Sequence, residues 1–180
     1  TGVANTAVGR SALQSNTIGT SNSAFGFYAL LSNTTGINNT AIGYASLQNN
    51  TTGYNNSAFG YKSLFANTTG TYNTAIGFGT LQTNTIGVRN SAFGHAALIL
   101  NTSGNNNSAF GYYALYNNTT NNNSAFGYKA LQNNTTGSYN TAVGVNSLKT
   151  NTIGSNNSAF GYGSCQISTG NNNSAFGYKA

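Results

Sequence analysis

The chain contains no aspartate and no glutamate among its 180 residues. Without carboxylates there is no pair of acids for general acid–base catalysis, no acid to orient a catalytic histidine and no oxygen cage for calcium or magnesium. The single cysteine, Cys165, excludes an internal disulfide, and the one histidine is His95. The sequence therefore argues against an enzyme and predicts no cofactor and no bound metal.

Charge and long apolar runs are also scarce. Six lysines and arginines give a net charge of +6. Lys62, Lys129 and Lys179 share one exposed turn column of the repeat but lie several coils apart, whereas a nucleic-acid groove needs a denser basic stripe. A basic surface that meets anionic glycans is a milder possibility. No segment is apolar and long enough to cross a bilayer, and no signal peptide is visible. We therefore expect neither a nucleic-acid partner nor membrane insertion.

What is present is one short repeat, Asn56-Ser57-Ala58-Phe59-Gly60, which recurs with few variations along the whole chain. Its glycine returns eleven times, at eight intervals of 17 residues and two of 16. A unit this short cannot bury its apolar face alone, so the period predicts a solenoid of eleven stacked coils. The positions of the glycine are 9, 26, 43, 60, 77, 94, 111, 127, 144, 161 and 177.

The fold predicted from this period is an all-β parallel β-solenoid. Residues 1–180 then form a single array without an internal boundary, and the absence of an initial methionine suggests an excerpt of a longer protein. β-Branched residues, asparagine and glycine disfavour helices. Disorder is the alternative for an Asn/Gly/Ser/Thr-rich chain, but a disordered tract has no reason to keep its apolar residues in phase.

Each coil has room for two short strands, one near Ser57 to Tyr61 and one near Ser63 to Thr69. Two apolar columns are predicted to face the core, and the turn glycines are expected where positive φ is needed. The first core column includes Phe25, Ile42, Phe59, Ile76 and Phe93, and the second includes Leu30, Leu47, Leu64, Leu81 and Leu98. The turn glycines are Gly26, Gly43, Gly60 and Gly77 in one row and Gly36, Gly53 and Gly70 in another.

Serine stands two residues before every phenylalanine of the first column, and threonine stands two residues before every isoleucine or valine. This compensation of volumes indicates close packing, which we assign to the core. The alanine between the two residues is the same in all coils, so its face permits close approach by another chain or by the facing limb of the same coil. In the short interval after Gly111, we expect Asn121 to replace the turn glycine.

Asparagines in one row are predicted to bond from coil to coil as a ladder, and others lie in Asn-x-Ser/Thr sequons. The predicted ladder includes Asn22, Asn39, Asn56, Asn73 and Asn90, and the first candidates for glycosylation are Asn33, Asn67 and Asn101. His95 falls in a row of tyrosines and phenylalanines and is expected to stack among them. Cys165 falls in the leucine row, where it is expected to act as a small buried hydrophobe.

The units Asn22-Ser23-Ala24-Phe25-Gly26 and Asn39-Thr40-Ala41-Ile42-Gly43, each followed by a leucine four residues after the glycine, resemble head repeats of YadA-type trimeric autotransporter adhesins. They are also similar to Asn-Thr-Gly-rich repeats of bacterial surface proteins and phage tail fibres. The resemblance covers essentially the whole chain. It implies a left-handed β-roll, a homotrimer joined through small-residue faces, and binding to host or matrix surfaces.

The leading hypothesis is thus a non-enzymatic fibre or adhesin segment on a cell or virion surface, with itself and a glycan or protein receptor as partners. A self-assembling extracellular filament, built by end-to-end or lateral stacking, is the alternative. A third possibility is ice binding, because threonines recur at β-sheet spacing from Thr17 onwards.

Overall fold

The computed structural model describes residues 2–180 as an all-β chain wound into a parallel β-solenoid. Each coil contributes one three-residue strand, and the eleven strands form one parallel sheet in chain order. Like residues pair in register, so the predicted fold class is confirmed. The strands are β1 (Thr6–Val8), β2 (Ser23–Phe25), β3 (Thr40–Ile42), β4 (Ser57–Phe59), β5 (Thr74–Ile76), β6 (Ser91–Phe93), β7 (Ser108–Phe110), β8 (Ser124–Phe126), β9 (Thr141–Val143), β10 (Ser158–Phe160) and β11 (Ser174–Phe176).

The second strand predicted in each coil, near Ser63 to Thr69, is not formed. Lys62 and Leu64 have φ values of +52° and +50°, which interrupt an extended backbone. This limb still bonds to the next coil, since the Leu64 N–H donates to the Thr80 carbonyl at 3.0 Å. The limb therefore stacks through backbone hydrogen bonds without β-pairing.

The strands bury the face opposite to the one predicted. The column that includes Phe25, Ile42, Phe59, Ile76 and Phe93 is wrongly assigned to the core. Phe25, Ile42 and Ile76 are 38%, 39% and 39% exposed, and Phe59 and Phe93 are half-buried. The alanine between them, such as Ala58, is fully buried instead. The alternation of the strand is right, but its two faces are exchanged.

The leucine column explains why alanine takes the inside. Leu30, Leu47, Leu64, Leu81 and Leu98 are completely buried and form one continuous cluster with the alanines. Because one coil is only about 17 residues around, a leucine from one limb leaves space for little more than a methyl group from the other. The alanine row thus packs against the facing limb of the same coil. This was one of the two neighbours predicted for it, the other being a second chain.

Three positions in each complete coil have a backbone in the left-handed region. With few exceptions, such as Gly79, the residues there are not glycine. In the fourth coil they are Lys62, Leu64 and Tyr72, with φ between +50° and +59°. Such a conformation costs roughly 1–2 kcal/mol for an ordinary side chain, and asparagine adopts it more readily. The third of these rows already contains Asn38, Asn55, Asn106, Asn122, Asn156 and Asn172.

We therefore expect Tyr139→Asn to stabilise the protein by up to about 1 kcal/mol. Tyr139 has φ +60° and is largely exposed, so its replacement relieves backbone strain and removes little packing. Urea denaturation measures the difference. The matched control is Ser138→Asn, because Ser138 has no positive φ; an equal gain there would show that backbone strain is not the cause.

In the shortened interval after Gly111, the residue at the position of the turn glycine is not the one predicted. The Thr120 carbonyl, and not Asn121, takes the place of the turn glycine, since it accepts hydrogen bonds from Nδ2 of Asn107 at 2.7 Å and of Asn118 at 2.9 Å. Asn121 lies one row further along the coil. The residue that is lost belongs to an exposed row, the turn tip. In other coils this row holds Ile18, Thr35, Thr52, Thr69, Ile86, Ser103, Thr136 and Ile153.

Candidate functional surfaces

The first asparagine ladder runs through the interior along the whole solenoid. The Asn39 Oδ1 accepts hydrogen bonds from the N–H and Nδ2 of Asn56 at 3.0 and 3.2 Å, and the Asn56 Nδ2 also donates to the Gly70 carbonyl at 2.8 Å. Both side chains are fully buried. The side-chain oxygen of each asparagine thus accepts the backbone N–H of the asparagine in the next coil, where a backbone carbonyl would otherwise be needed. The ladder contains Asn5, Asn22, Asn39, Asn56, Asn73, Asn90, Asn107, Asn123, Asn140, Asn157 and Asn173.

A second asparagine ladder was not recognised from the sequence. The Asn67 Nδ2 donates to the Asn50 Oδ1 at 2.8 Å and to the same Gly70 carbonyl at 3.0 Å. The signal was available, because asparagine stands seven residues after the repeat glycine in nine successive coils, from Asn16 to Asn151, and only Ser168 breaks the row in the tenth coil. The second ladder contains Asn16, Asn33, Asn50, Asn67, Asn84, Asn101, Asn118, Asn134 and Asn151.

The glycosylation sites predicted at Asn33, Asn67 and Asn101 are therefore wrong. All three side chains are fully buried, and each Nδ2 is already a donor within the second ladder. Attachment of a sugar would require the loss of those bonds and the opening of the coil. Exposed sequon asparagines occur elsewhere, at Asn38, Asn106, Asn156 and Asn172.

We expect a glycosylating enzyme that acts on the folded protein to modify Asn38 and leave Asn33 unmodified. Asn38 is exposed beside a turn, whereas the Asn33 amide is held in the core. Peptide mass spectrometry after reaction in vitro distinguishes the two sites. Modification of Asn33 in protein that keeps its native circular dichroism would contradict the burial described above.

The two rows of turn glycines serve different purposes. Gly26 and Gly43 have φ values of +137° and +124°, as the sequence predicts for that row, and Gly60 and Gly77 are similar. The other row does not have positive φ, as seen at Gly36, Gly53 and Gly70. The prediction that glycine stands there because positive φ is needed is therefore wrong. A Cβ on Gly70 would instead collide with the Asn67 Oδ1 and the Gly87 carbonyl. Glycine is required there because the two asparagine ladders converge on its backbone.

The second ladder is interrupted at both short coils. The Oδ1 atoms of Asn101 and Asn151 are buried and have no hydrogen-bond partner within residues 2–180. The Asn118 Nδ2 keeps the bond to the turn carbonyl, here that of Thr120, but does not reach the Asn101 Oδ1. After Asn151 a serine, Ser168, takes the next place in the row. Because an unpaired buried acceptor costs about 1–3 kcal/mol, these two junctions are the weaker steps of the stack.

The outer surface carries a continuous stack of aromatic rings, which we call the aromatic ladder. Successive ring centroids are 4.9–5.5 Å apart with interplanar angles of 2–18°. His95 stacks between Phe78 and Tyr112, as predicted. A hydrogen bond with the Tyr113 side chain raises the pKa of Tyr112 above its usual 10.0. The ladder consists of Phe27, Tyr44, Tyr61, Phe78, His95, Tyr112 and Tyr128.

Beside it lies the sheet face, which is the outward side of β1 to β11. It consists of the serine or threonine and the phenylalanine, isoleucine or valine of each strand, and the alanines face inward. Part of it is also stacked, with the Phe93 and Phe110 centroids 4.5 Å apart. The pairing of serine with phenylalanine, and of threonine with isoleucine or valine, therefore lies on a half-exposed surface. Side chains that face only water do not require matched volumes, whereas side chains packed against another surface do.

The threonine row that begins at Thr17 is less available than the sequence suggests. The Thr34 Oγ1 donates to the Thr51 carbonyl at 3.1 Å, and the Thr51 Oγ1 donates to the Thr68 carbonyl at 3.1 Å. The hydroxyl protons of this row thus join neighbouring coils. A surface that orders water needs those donors free, so this pattern weighs against ice binding.

Residues 2–180 enclose no pocket, and within them no three His, Cys, Asp or Glu side chains come together as a metal site. Cys165 occupies the leucine row, partly buried against the core. Among the same residues no helix is long and apolar enough to cross a bilayer. Comparison with family models, curated proteins and solved structures finds no match to this chain.

Proposed function

We propose that this chain is a non-enzymatic structural segment of an extracellular fibre or adhesin, which holds a surface-binding face along an extended rod. The observation that carries the proposal is the uniform stack of coils, fixed internally by two asparagine ladders, with a long aromatic surface and no pocket among residues 2–180. At about 4.7 Å per coil, eleven coils span roughly 50 Å. Such a rod suits spacing and display and offers no enclosed site for chemistry.

The proposal includes self-association as a homotrimer through the sheet face. The small alanine face expected from the resemblance is unsuitable, because its residues, such as Ala58, are buried within one chain. The sheet face instead exposes large apolar side chains, including Phe25 and Phe160. An extended apolar surface of this kind marks an interaction site, and its paired volumes support packing against a second copy.

Sedimentation equilibrium tests the assembly. We expect a discrete trimer for the native chain, and a monomer with unchanged circular dichroism for the variant Phe93→Lys/Phe110→Lys on the sheet face. Ile86→Lys is the matched control, because Ile86 is exposed at the turn tip, away from that face. A native chain that stays monomeric at high micromolar concentration would contradict the trimer.

The alternative function is a filament in which copies associate end to end or laterally. The lateral form is favoured by the same sheet face, since heterologous contacts that do not close produce open fibres. Electron microscopy separates the two proposals, because only the alternative yields fibres of unlimited length. Ice binding ranks third, since the threonine hydroxyls donate within the chain, and thermal hysteresis at micromolar protein would be needed to support it.

A further inference from the structure

Four of the six cationic side chains lie along the aromatic ladder or along the stacked rings of Tyr162 and Tyr178, which continue its row beyond Val145. They occupy the row of the rings or the row next to it, and each lies 5.0–5.5 Å from a ring centroid. The Arg10 Cζ is 5.5 Å from the Phe27 centroid, and the Lys62 Nζ is 5.4 Å from the Tyr61 centroid. The Lys129 and Lys179 Nζ atoms lie 5.0 and 5.4 Å from the rings of Tyr128 and Tyr178. The line of cations therefore follows one edge of the solenoid.

No acidic side chain anywhere in the chain can neutralise this line. The cations stand in coils one, four, eight and eleven, so the steps between them are three, four and three coils. At about 4.7 Å per coil these steps are roughly 14, 19 and 14 Å, beyond the Debye length of about 8 Å at physiological salt. The charges thus act independently, and only an extended partner can contact several of them together.

The rings between the cations limit what that partner can be. In the ladder each ring is stacked on its neighbours, yet Tyr44, Tyr61 and Tyr128 are 45%, 41% and 45% exposed. The exposed parts are therefore ring edges and phenol hydroxyls, and the ring faces are occupied. Nucleobases need open ring faces on which to stack. A polymer rich in hydroxyl and sulfate groups needs hydrogen-bond donors and cations, which this edge supplies.

We propose that the edge formed by the aromatic ladder with Arg10, Lys62, Lys129 and Lys179 binds a linear sulfated polysaccharide that runs parallel to the solenoid axis. This inference rests on the proposed function and names the chemical class of its surface-bound partner. Several weak, independent contacts on one polymer add up through multivalency, so binding depends on chain length. A fragment too short to span two cations, about 14 Å, binds far more weakly than a chain of about 50 Å.

The test measures binding of heparin, as a sulfated probe, between 50 and 200 mM salt. If counterion release resembles that of nucleic acids, four contacts predict a loss of affinity of about 50–150-fold across this range. Lys62→Gln/Lys129→Gln removes two contacts and should reduce that loss to about 10-fold, with weaker binding at 50 mM. The matched control is a pair of single variants. Lys62→Gln removes one contact and should reduce the loss to about 20–40-fold, whereas Arg89→Gln removes the same charge from a row on the other side of the strand and should keep the native salt dependence.

Each outcome decides the proposal. Equal effects of Lys62→Gln and Arg89→Gln would show that only net charge matters and would overturn the assigned edge. Equally strong binding of uncharged dextran by the native chain would also overturn it. Tighter binding of duplex DNA or of anionic vesicles, with the same dependence on Lys62 and Lys129, would overturn the choice of polysaccharide. Sedimentation of the same samples separates the two proposals: a trimer that does not bind heparin ends this inference alone, whereas a monomer that binds heparin ends the trimer alone.

Discussion

Asn39→Asp is expected to destabilise the protein by about 3–5 kcal/mol at neutral pH. The Asn39 Nδ2 donates to the Asn22 Oδ1 at 3.2 Å and to the Gly53 carbonyl at 2.8 Å, and the side chain is fully buried. A carboxylate has no proton for either bond and would face two oxygens in a dry interior. Urea denaturation followed by circular dichroism measures the loss.

The loss should depend on pH with a definite sign. Burial and facing oxygens raise the folded-state pKa of the introduced carboxyl above its unfolded value of about 3.9. The variant is therefore closest to the native stability below about pH 4, and the deficit grows as pH rises through the raised pKa. Asn38→Asp is the control, since Asn38 is the exposed neighbour of Asn39. Similar losses at both positions would show that the ladder does not set the stability.

Leu64→Ala is expected to cost about 2–5 kcal/mol, because Leu64 is fully buried and its truncation leaves a cavity in a narrow core. Phe59→Ala in the same coil should cost much less, on the order of 1 kcal/mol or below in the isolated chain, because the Phe59 side chain lies on the half-exposed sheet face. Assignment of Phe59 to the core, as the sequence alone suggests, predicts a large cost for Phe59→Ala instead.

Denaturation of the two variants at a concentration where the chain is monomeric measures the contrast. In a trimer joined through the sheet face, Phe59→Ala should become more costly as protein concentration rises, because binding between folded chains adds to stability. Leu64→Ala should show no comparable change. A larger loss for Phe59→Ala than for Leu64→Ala in the monomer would contradict the assignment of Leu64 to the core and Phe59 to the surface.

The candidate functional surfaces can be predicted only partly from the sequence. The row that contains His95 was predicted to stack, and it does. The sequence places Lys62, Lys129 and Lys179 in one turn column, several coils apart, and leaves Arg10 outside it. Only the stacked coils show that Arg10 lies beside the same row of rings. Asn33 and Asn38 both lie in sequons, and the motif cannot tell which one faces solvent.

The sequence by itself determined the period, the position of the strand and the burial of leucine. A residue that returns every 17 positions must stack on its own copies, whatever the details of the coil. It also determined the first asparagine ladder, since identical amides at the spacing of strands can bond to one another.

Only the tertiary structure decided which face of the strand is inside. Alternation separates Ala58 from Phe59 but treats the two faces equally, and larger apolar residues are normally assigned to the core. The width of the interior decides the matter: Leu64 and the two asparagine ladders fill it, so alanine fits and phenylalanine does not. The limb that carries Leu64 also has positive φ at Lys62 and Leu64. Neither residue type favours that conformation, so the sequence gives no sign of it.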